Sequence, residues 1–309
     1  MKSNYEFEWK GVMPAVTTQF DREGNLDLNS FEKNLLAQIN AGVHGLILGG
    51  TLGEASTLNE EEKLILLKKA LKVADNKVPV ILNIAEQSTD SAIRNVKNAE
   101  KNGANGLMVL PPMRYKATED ETIKYFSDIA NSTSLPIMIY NNPIDYKIEI
   151  TLDMLDKLKG FSNINAVKES TRDITNITRM INRFGNRFSI FCGVDTIAME
   201  SLVMGAHGWV AGLVDAYPEE TMAIYTFIKS NKIDKALKIY RWFLPLLELD
   251  ISPQLVQNIK QCEVATSLGT GYVRKPRMSH SGEERKRIQK IIEESMYTRP
   301  DVSDYKELL

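Results

Sequence analysis

Short, almost continuously apolar runs alternate with longer amphipathic stretches along the first two-thirds of the chain. The runs span 12–16, 45–48, 80–85, 106–110, 137–140, 164–167, 188–192 and 209–213. Their length and their lack of in–out alternation predict parallel strands buried on both faces. Between them, apolar residues recur three and four positions apart, as on one face of a helix. Helix starts are marked by Asn29 with Glu32, by Asn59 with Glu62, by Thr118 with Glu121 and by Thr151; in each, a short polar side chain can accept from the amides of the first turn. Gly42, Gly103 and Gly205 follow helical stretches where a left-handed cap is expected, and Pro218 suits a first helical turn. Strand and helix thus repeat eight times. Eight such units, joined by right-handed crossovers, predict a closed (β/α)8 barrel. An open doubly wound sheet is the competing architecture, but its GxGxxG turn is missing. From about Ala223 the pattern is helical throughout, over 233–247, 253–268 and 282–296. The expected organisation is therefore a barrel over 1–224 and a C-terminal helical extension over 225–309, packed on the barrel.

Composition narrows the function more than the fold. The chain has 309 residues, and 38 Lys and Arg balance 40 Asp and Glu, so neither nucleic acid nor an anionic membrane is favoured as a partner. No apolar run approaches the roughly 18–20 residues of a membrane span. Residues 1–10 are polar and carry both charge signs, unlike a signal or transit peptide, so a cytoplasmic location is expected. Cys192 and Cys262 have no metal-type spacing and are read as reduced thiols. His44, His207 and His280 form no ligand pattern, and His44 and His207 stand before strands, at the structural end of the barrel. No metal site and no cofactor are expected.

Active residues of a barrel stand at the C-terminal ends of its strands. Lys168 closes the sixth run. An amine there is partly desolvated, which disfavours its charged form and leaves it able to attack a carbonyl or imine carbon. Pairing with Glu169, or a stem reaching solvent, is the structural alternative. Tyr140 ends the fifth run and suits proton relay, or else caps the barrel core. Thr51, in the turn after the second run, could bond that phenol or simply serve the turn. The amides of Gly49, Gly50 and Thr51 could cradle a carboxylate.

In these segments the sequence resembles the dihydrodipicolinate synthase / N-acetylneuraminate lyase superfamily. The resemblance is carried by Gly50-Thr51-Leu52-Gly53-Glu54, Ile139-Tyr140-Asn141-Asn142-Pro143 and Val167-Lys168-Glu169-Ser170, with Gly193 and the 208–212 strand. It implies a Schiff-base lysine at Lys168, a proton relay at Tyr140, and a supporting hydroxyl at Thr51. It implies substrate contacts at Gly50, Leu52, Asn142, Ser170, Gly193 and Val210, with Asp195 available to substrate hydroxyls. It also implies a small 2-oxo or 2-imino acid substrate and a homo-oligomer, a tetramer by analogy. Three positions depart from the synthase pattern. Asp145 stands where an arginine binds the second substrate's carboxylate, and Leu52 replaces the second threonine of a Thr-Thr pair. Met113 or Arg114 stands where a neighbouring subunit's tyrosine is supplied, with Tyr115 next in line.

The segments 110–116, 140–143 and 240–247 are instead similar to a branch that processes 1-pyrroline-4-hydroxy-2-carboxylate in hydroxyproline breakdown. The favoured expectation is a deaminase that gives 2-oxoglutarate semialdehyde and ammonia, with the lysine imine as its own electron sink. The alternatives are a 2-oxo acid aldolase, lyase or dehydratase of the N-acetylneuraminate lyase or sugar-acid type, a 4-hydroxy-tetrahydrodipicolinate synthase, and a catalytically inactive ligand-binding barrel.

Overall fold

The computed structural model describes residues 7–112 and 114–309. Strand and helix alternate as β1 (Gly11–Pro14), α1 (Leu28–Asn40), β2 (Leu46–Leu48), α2 (Glu60–Ala74), β3 (Val80–Ile84), α3 (Thr89–Lys101), β4 (Gly106–Val109), α4 (Glu119–Asn131), β5 (Ile137–Asn141), α5 (Pro143–Tyr146) and α6 (Leu152–Leu158). They continue as β6 (Ile164–Glu169), α7 (Thr175–Phe184), β7 (Ser189–Cys192), α8 (Ala198–Val203), β8 (Gly208–Ala211) and α9 (Pro218–Lys229). Helices α10 (Ile233–Leu247), α11 (Leu255–Ala265) and α12 (Gly282–Tyr297) complete the chain's long elements. All eight apolar runs are strands, and each pairs in parallel with its neighbours. The sheet closes between β1 and β2 through the Ala15–Ile47 bridge, where Val16 N donates to Ile47 O at 2.9 Å. The protein is a (β/α)8 barrel with a C-terminal helical extension.

The caps follow the local chemistry. Asn59 and Glu62 bond reciprocally at the start of α2, Thr118 and Glu121 do so at α4, and Thr151 accepts from Met154 N at α6. Helix α1 departs from expectation. Its cap is Asp27, whose carboxylate accepts from the Asn29 and Ser30 amides, because a charged acceptor two residues earlier satisfies two orphan donors at once. Gly42, Gly103 and Gly205 have φ of 93°, 89° and 104°, the left-handed conformation their positions require. A domain boundary after residue 224 would pass through α9, which runs on to Lys229. Helix α9 ends at Lys229, and α10 begins at Ile233.

Alternation splits the core in two. One cluster fills the barrel interior, with Met13, Ile47, Ile81, Met108, Met138, Ala166, Phe191 and Val210 pointing inward. Trp9 plugs the lower end against Phe191. The second, larger cluster lies between strands and helices. The extension is tied to the strand ends by buried polar pairs: Lys260 on α11 donates to Glu54 Oε1 at 2.7 Å, and Gln19 Nε2 donates to Glu263 Oε2 at 2.8 Å. These bonds hold the segment between α10 and α11 over the mouth of the barrel. Among the described residues, no helix is long and apolar enough to cross a membrane.

Candidate active site

The strand ends open into a cavity of about 430 Å³, within the range of small-ligand sites. Lys168 and Tyr140 are register partners on β6 and β5. Residues two apart on a strand share a face. Lys168 therefore follows Ala166, and Tyr140 follows Met138, toward the barrel interior and into this cavity. Glu169 points the other way, where its carboxylate accepts from Asn141 Nδ2 at 2.9 Å and from Thr171 N at 2.8 Å. A Lys168–Glu169 pair is thus geometrically excluded.

Lys168 is 6% exposed. Its Nζ lies 4.0 Å from the centroid of the Tyr140 ring, and among the described residues no carboxylate comes within salt-bridge distance. Burial lowers its pKa, while the acidic groups of Tyr146, Asp250 and Asp195 act in the opposite sense. Tyr140 is pushed up to about 12 by burial, against the donation of Asn142 Nδ2 to its hydroxyl at 3.2 Å. A phenol with that pKa holds its proton at neutral pH and can lend it to a bound oxygen or carbon.

Space around the amine is set by Gly193. A Cβ there would stand 2.6 Å from Lys168 Cε and 2.2 Å from Ser170 Oγ, well inside contact distance. Gly50, Thr51, Leu52, Asn142, Ser170 and Val210 also line the cavity. Ser170 Oγ is buried without a well-formed hydrogen bond among the described residues, though it lies close enough to bias the Tyr140 phenol. Asn83 Nδ2 donates to Gly49 O at 2.9 Å and fixes the turn that carries Gly50 and Thr51.

Two expectations are corrected here. The Thr51 hydroxyl bonds Tyr146, not Tyr140. Helix α5 is a single turn, begun by Asn142 and Pro143, and its last residue swings a phenol between Thr51 and the Tyr140 ring. Asp195 does not line the cavity. Its carboxylate accepts from Trp209 Nε1 at 2.8 Å, from Leu213 N at 2.9 Å and from Gly212 N at 3.1 Å, so it ties β7 to the turn after β8 and has no capacity aimed at a substrate. Of the residues considered in place of a neighbouring subunit's tyrosine, Met113 lies outside the described residues. Tyr115 is 55% exposed and does not line the cavity of its own chain.

Three groups escaped sequence reasoning. Tyr146 carries no strand-end signal. Asp250 belongs to the segment between α10 and α11, and its carboxyl lies over Gly212, where a Cβ would come within 2.6 Å of Oδ1. Burial and Asp195 push that carboxyl well above the ordinary range, against the pull of Lys168. Arg172 reaches the same wall from a left-handed residue after β6, with φ of 65°. At the opposite rim, Nδ1 of His44 accepts from Val12 N and Nδ1 of His207 accepts from Ile190 N, whereas His280 has both ring nitrogens buried without a hydrogen-bond partner among the described residues. Among the described residues, no group of three or more His, Cys, Asp or Glu side chains is placed to hold a metal ion.

The sequence matches the dihydrodipicolinate synthetase family over residues 8–295. Relatives include 4-hydroxy-tetrahydrodipicolinate synthases from Exiguobacterium sibiricum, 30% identical with 89% of this chain and 94% of that one aligned, and from Thermosipho africanus, 34% identical with 75% and 80% aligned. A dihydrodipicolinate synthase from Aquifex aeolicus superposes with a TM-score of 0.88 at 25% identity, covering 94% of this chain and 99% of that one. Both the site geometry and these likenesses cover the barrel and most of the extension, and the chain is a member of the dihydrodipicolinate synthetase family, enzymes that work through a lysine Schiff base.

Proposed function

We propose that the protein is a lyase acting on 1-pyrroline-4-hydroxy-2-carboxylate, which it deaminates to 2-oxoglutarate semialdehyde. The neutral Lys168 amine adds to C2 of the cyclic imine and displaces the ring nitrogen, which stays on C5 as an amine. Removal of a C3 proton gives an enamine, and its electron pair expels the C4 hydroxyl as water. The double bond moves to C5, where water replaces ammonia. A second water frees C2 from Lys168, so one water is consumed overall and one ammonia released. Tyr140 carries the protons, and the Gly50–Thr51 turn holds the carboxylate. Catalysis is assigned to Lys168, Tyr140 and Thr51, and substrate contact to Gly50, Leu52, Asn142, Ser170, Gly193 and Val210.

The observation that carries the choice of substrate is the cavity wall formed by Asp145 and Asp250. Burial raises the Asp250 pKa, which favours the protonated form that can donate to a departing hydroxyl. Asp145 disfavours a second substrate that brings its own carboxylate. The test is direct assay of the purified protein: ammonia and aldehyde appear from the hydroxylated cyclic imine, and neither pyruvate nor a condensation product forms faster from the alternatives. Pyruvate release from a sugar acid would point to the aldolase and lyase class.

Arg172 favours a second reading. It is a cation on the same wall and a ready partner for a carboxylate, as a 4-hydroxy-tetrahydrodipicolinate synthase needs for aspartate semialdehyde. Condensation of that aldehyde with pyruvate, with no ammonia from the cyclic imine, would establish it. In either reading the protein works as a cytoplasmic homo-oligomer, a tetramer by family analogy, with the barrel as catalytic unit and the helical extension as its roof.

A further inference from the structure

We infer that the single turn α5 orients the hydroxyl groups of the site from within the chain, with Tyr146 as a positioning residue that acts through Thr51. The inference rests on the lysine-imine chemistry above but not on the choice of substrate.

Two hydroxyls of the cavity wall belong to Thr51 and Tyr140, and each is held by one end of α5. Asn142, its N-cap, donates from Nδ2 to the Tyr140 hydroxyl at 3.2 Å and accepts on Oδ1 from Asp145 N. Tyr146, its last residue, bonds the Thr51 hydroxyl. The Tyr146 ring meets that of Tyr140 edge to face, with centroids 5.5 Å apart and planes at 82°, the arrangement that ring quadrupoles favour. Lys147 then closes the turn in the left-handed conformation, with φ of 64°. The two ends of one turn, Asn142 and Tyr146, therefore fix the Tyr140 and Thr51 hydroxyls, both in the wall of the cavity that holds the Lys168 amine.

A threonine hydroxyl rotates freely unless a partner fixes it. Tied to Tyr146, the Thr51 oxygen presents its remaining lone pair or proton to the cavity in one direction, and no reorientation is required as charge develops. The Tyr146 hydroxyl fills this place without any residue from another subunit. The defect expected on removing it is in proton transfer, not in binding.

The test uses pyruvate as a probe and the full-length protein. Exchange of pyruvate methyl hydrogens for deuterium, followed by NMR in heavy water, reports enamine formation and reprotonation. Borohydride trapping reports how much imine forms on Lys168. Tyr146→Phe should slow exchange about 100-fold, within the usual range for one acid–base element, with the pyruvate KM and the trapped fraction within twofold of the unsubstituted protein. Thr51→Val should match it, Thr51→Ser should recover most of the rate, and the double variant Thr51→Val/Tyr146→Phe should be no slower than either single one. Exchange within twofold of normal in Tyr146→Phe overturns the inference, as does a double variant slowed by the product of the two single factors. A loss of trapped imine that parallels the loss of exchange also overturns it, because Tyr146 would then shape binding or the fold. If the unsubstituted protein traps no imine, the lysine chemistry itself fails, and that result is distinct from all of these.

Discussion

Two lysines are buried among the described residues, and the fold surrounds them in opposite ways. Lys260 is wholly enclosed where the extension meets the barrel, and Lys168 is nearly so at the barrel mouth. Each lies over an aromatic ring, Phe20 at 4.6 Å and Tyr140 at 4.0 Å. Burial lowers the pKa of both. What separates them is partners. Lys260 donates to Glu54 at 2.7 Å and to Tyr272 O at 2.6 Å, so its charge is matched and its protons are committed. Lys168 has a phenol ring below it, glycine beside it and open cavity above it. A buried lysine is therefore not reactive for being buried. It becomes reactive when the fold withholds the carboxylate that would keep it protonated and leaves its lone pair a path to a ligand.

The largest contrast should come from removing each amine in turn. Lys168→Met is expected to lower turnover by roughly four or more orders of magnitude, because no other group supplies the nucleophile, while the melting temperature holds or rises. Lys260→Met should do the reverse. It strands Glu54 in the interior and should cost about 3 kcal/mol in a denaturant titration, the lower end for a broken buried pair, since Arg277 stays 3.7 Å from Glu54. The folded fraction should still trap substrate on Lys168.

Gly193→Ala probes the space that sets the two lysines apart. The new methyl group would meet Lys168 Cε and displace the amine, and turnover should fall about 100-fold for a shift on the order of 1 Å. A rate within threefold of normal would mean the cavity is looser than described.

The pH dependence sharpens the comparison further. Burial lowers the Lys168 pKa, so the neutral amine is favoured and imine formation should rise with pH along a limb centred below the ordinary lysine value. Tyr140 keeps its proton until about pH 12, so it should impose no descending limb before then. Asp250→Asn should move the rising limb slightly to lower pH, because Asp250 acts to raise the Lys168 pKa. This is the smallest effect, since burial raises the pKa of that carboxyl and so disfavours its charged form. A limb that moves to higher pH would reverse the assigned sign.

How far this was legible in the sequence depends on where each residue stands. The strands were legible because a barrel buries both faces of its sheet, which leaves uninterrupted apolar runs. Lys168 and Tyr140 were legible because they close such runs, and a strand end fixes both position and direction. The start of α1 was misplaced because Asp27 and Asn29 are equally plausible caps until the backbone shows which amides each can reach. Asp195 was misread for a related reason. A carboxylate after a strand looks the same whether it faces the cavity or turns back to Trp209 and the Leu213 amide. Tyr146, Arg172 and Asp250 lie on a one-turn helix, a left-handed residue and a long-range roof. Their approach to the lysine is set by tertiary closure, which no local pattern encodes.

The nucleophile proposed for this enzyme is the Lys168 amine at the barrel mouth, which no carboxylate among the described residues pairs. Borohydride reduction in the presence of pyruvate, followed by peptide mass spectrometry, tests it most directly. A single reduced adduct is expected on Lys168 and none on Lys260. An adduct on any other lysine, or none under saturating pyruvate, would contradict it.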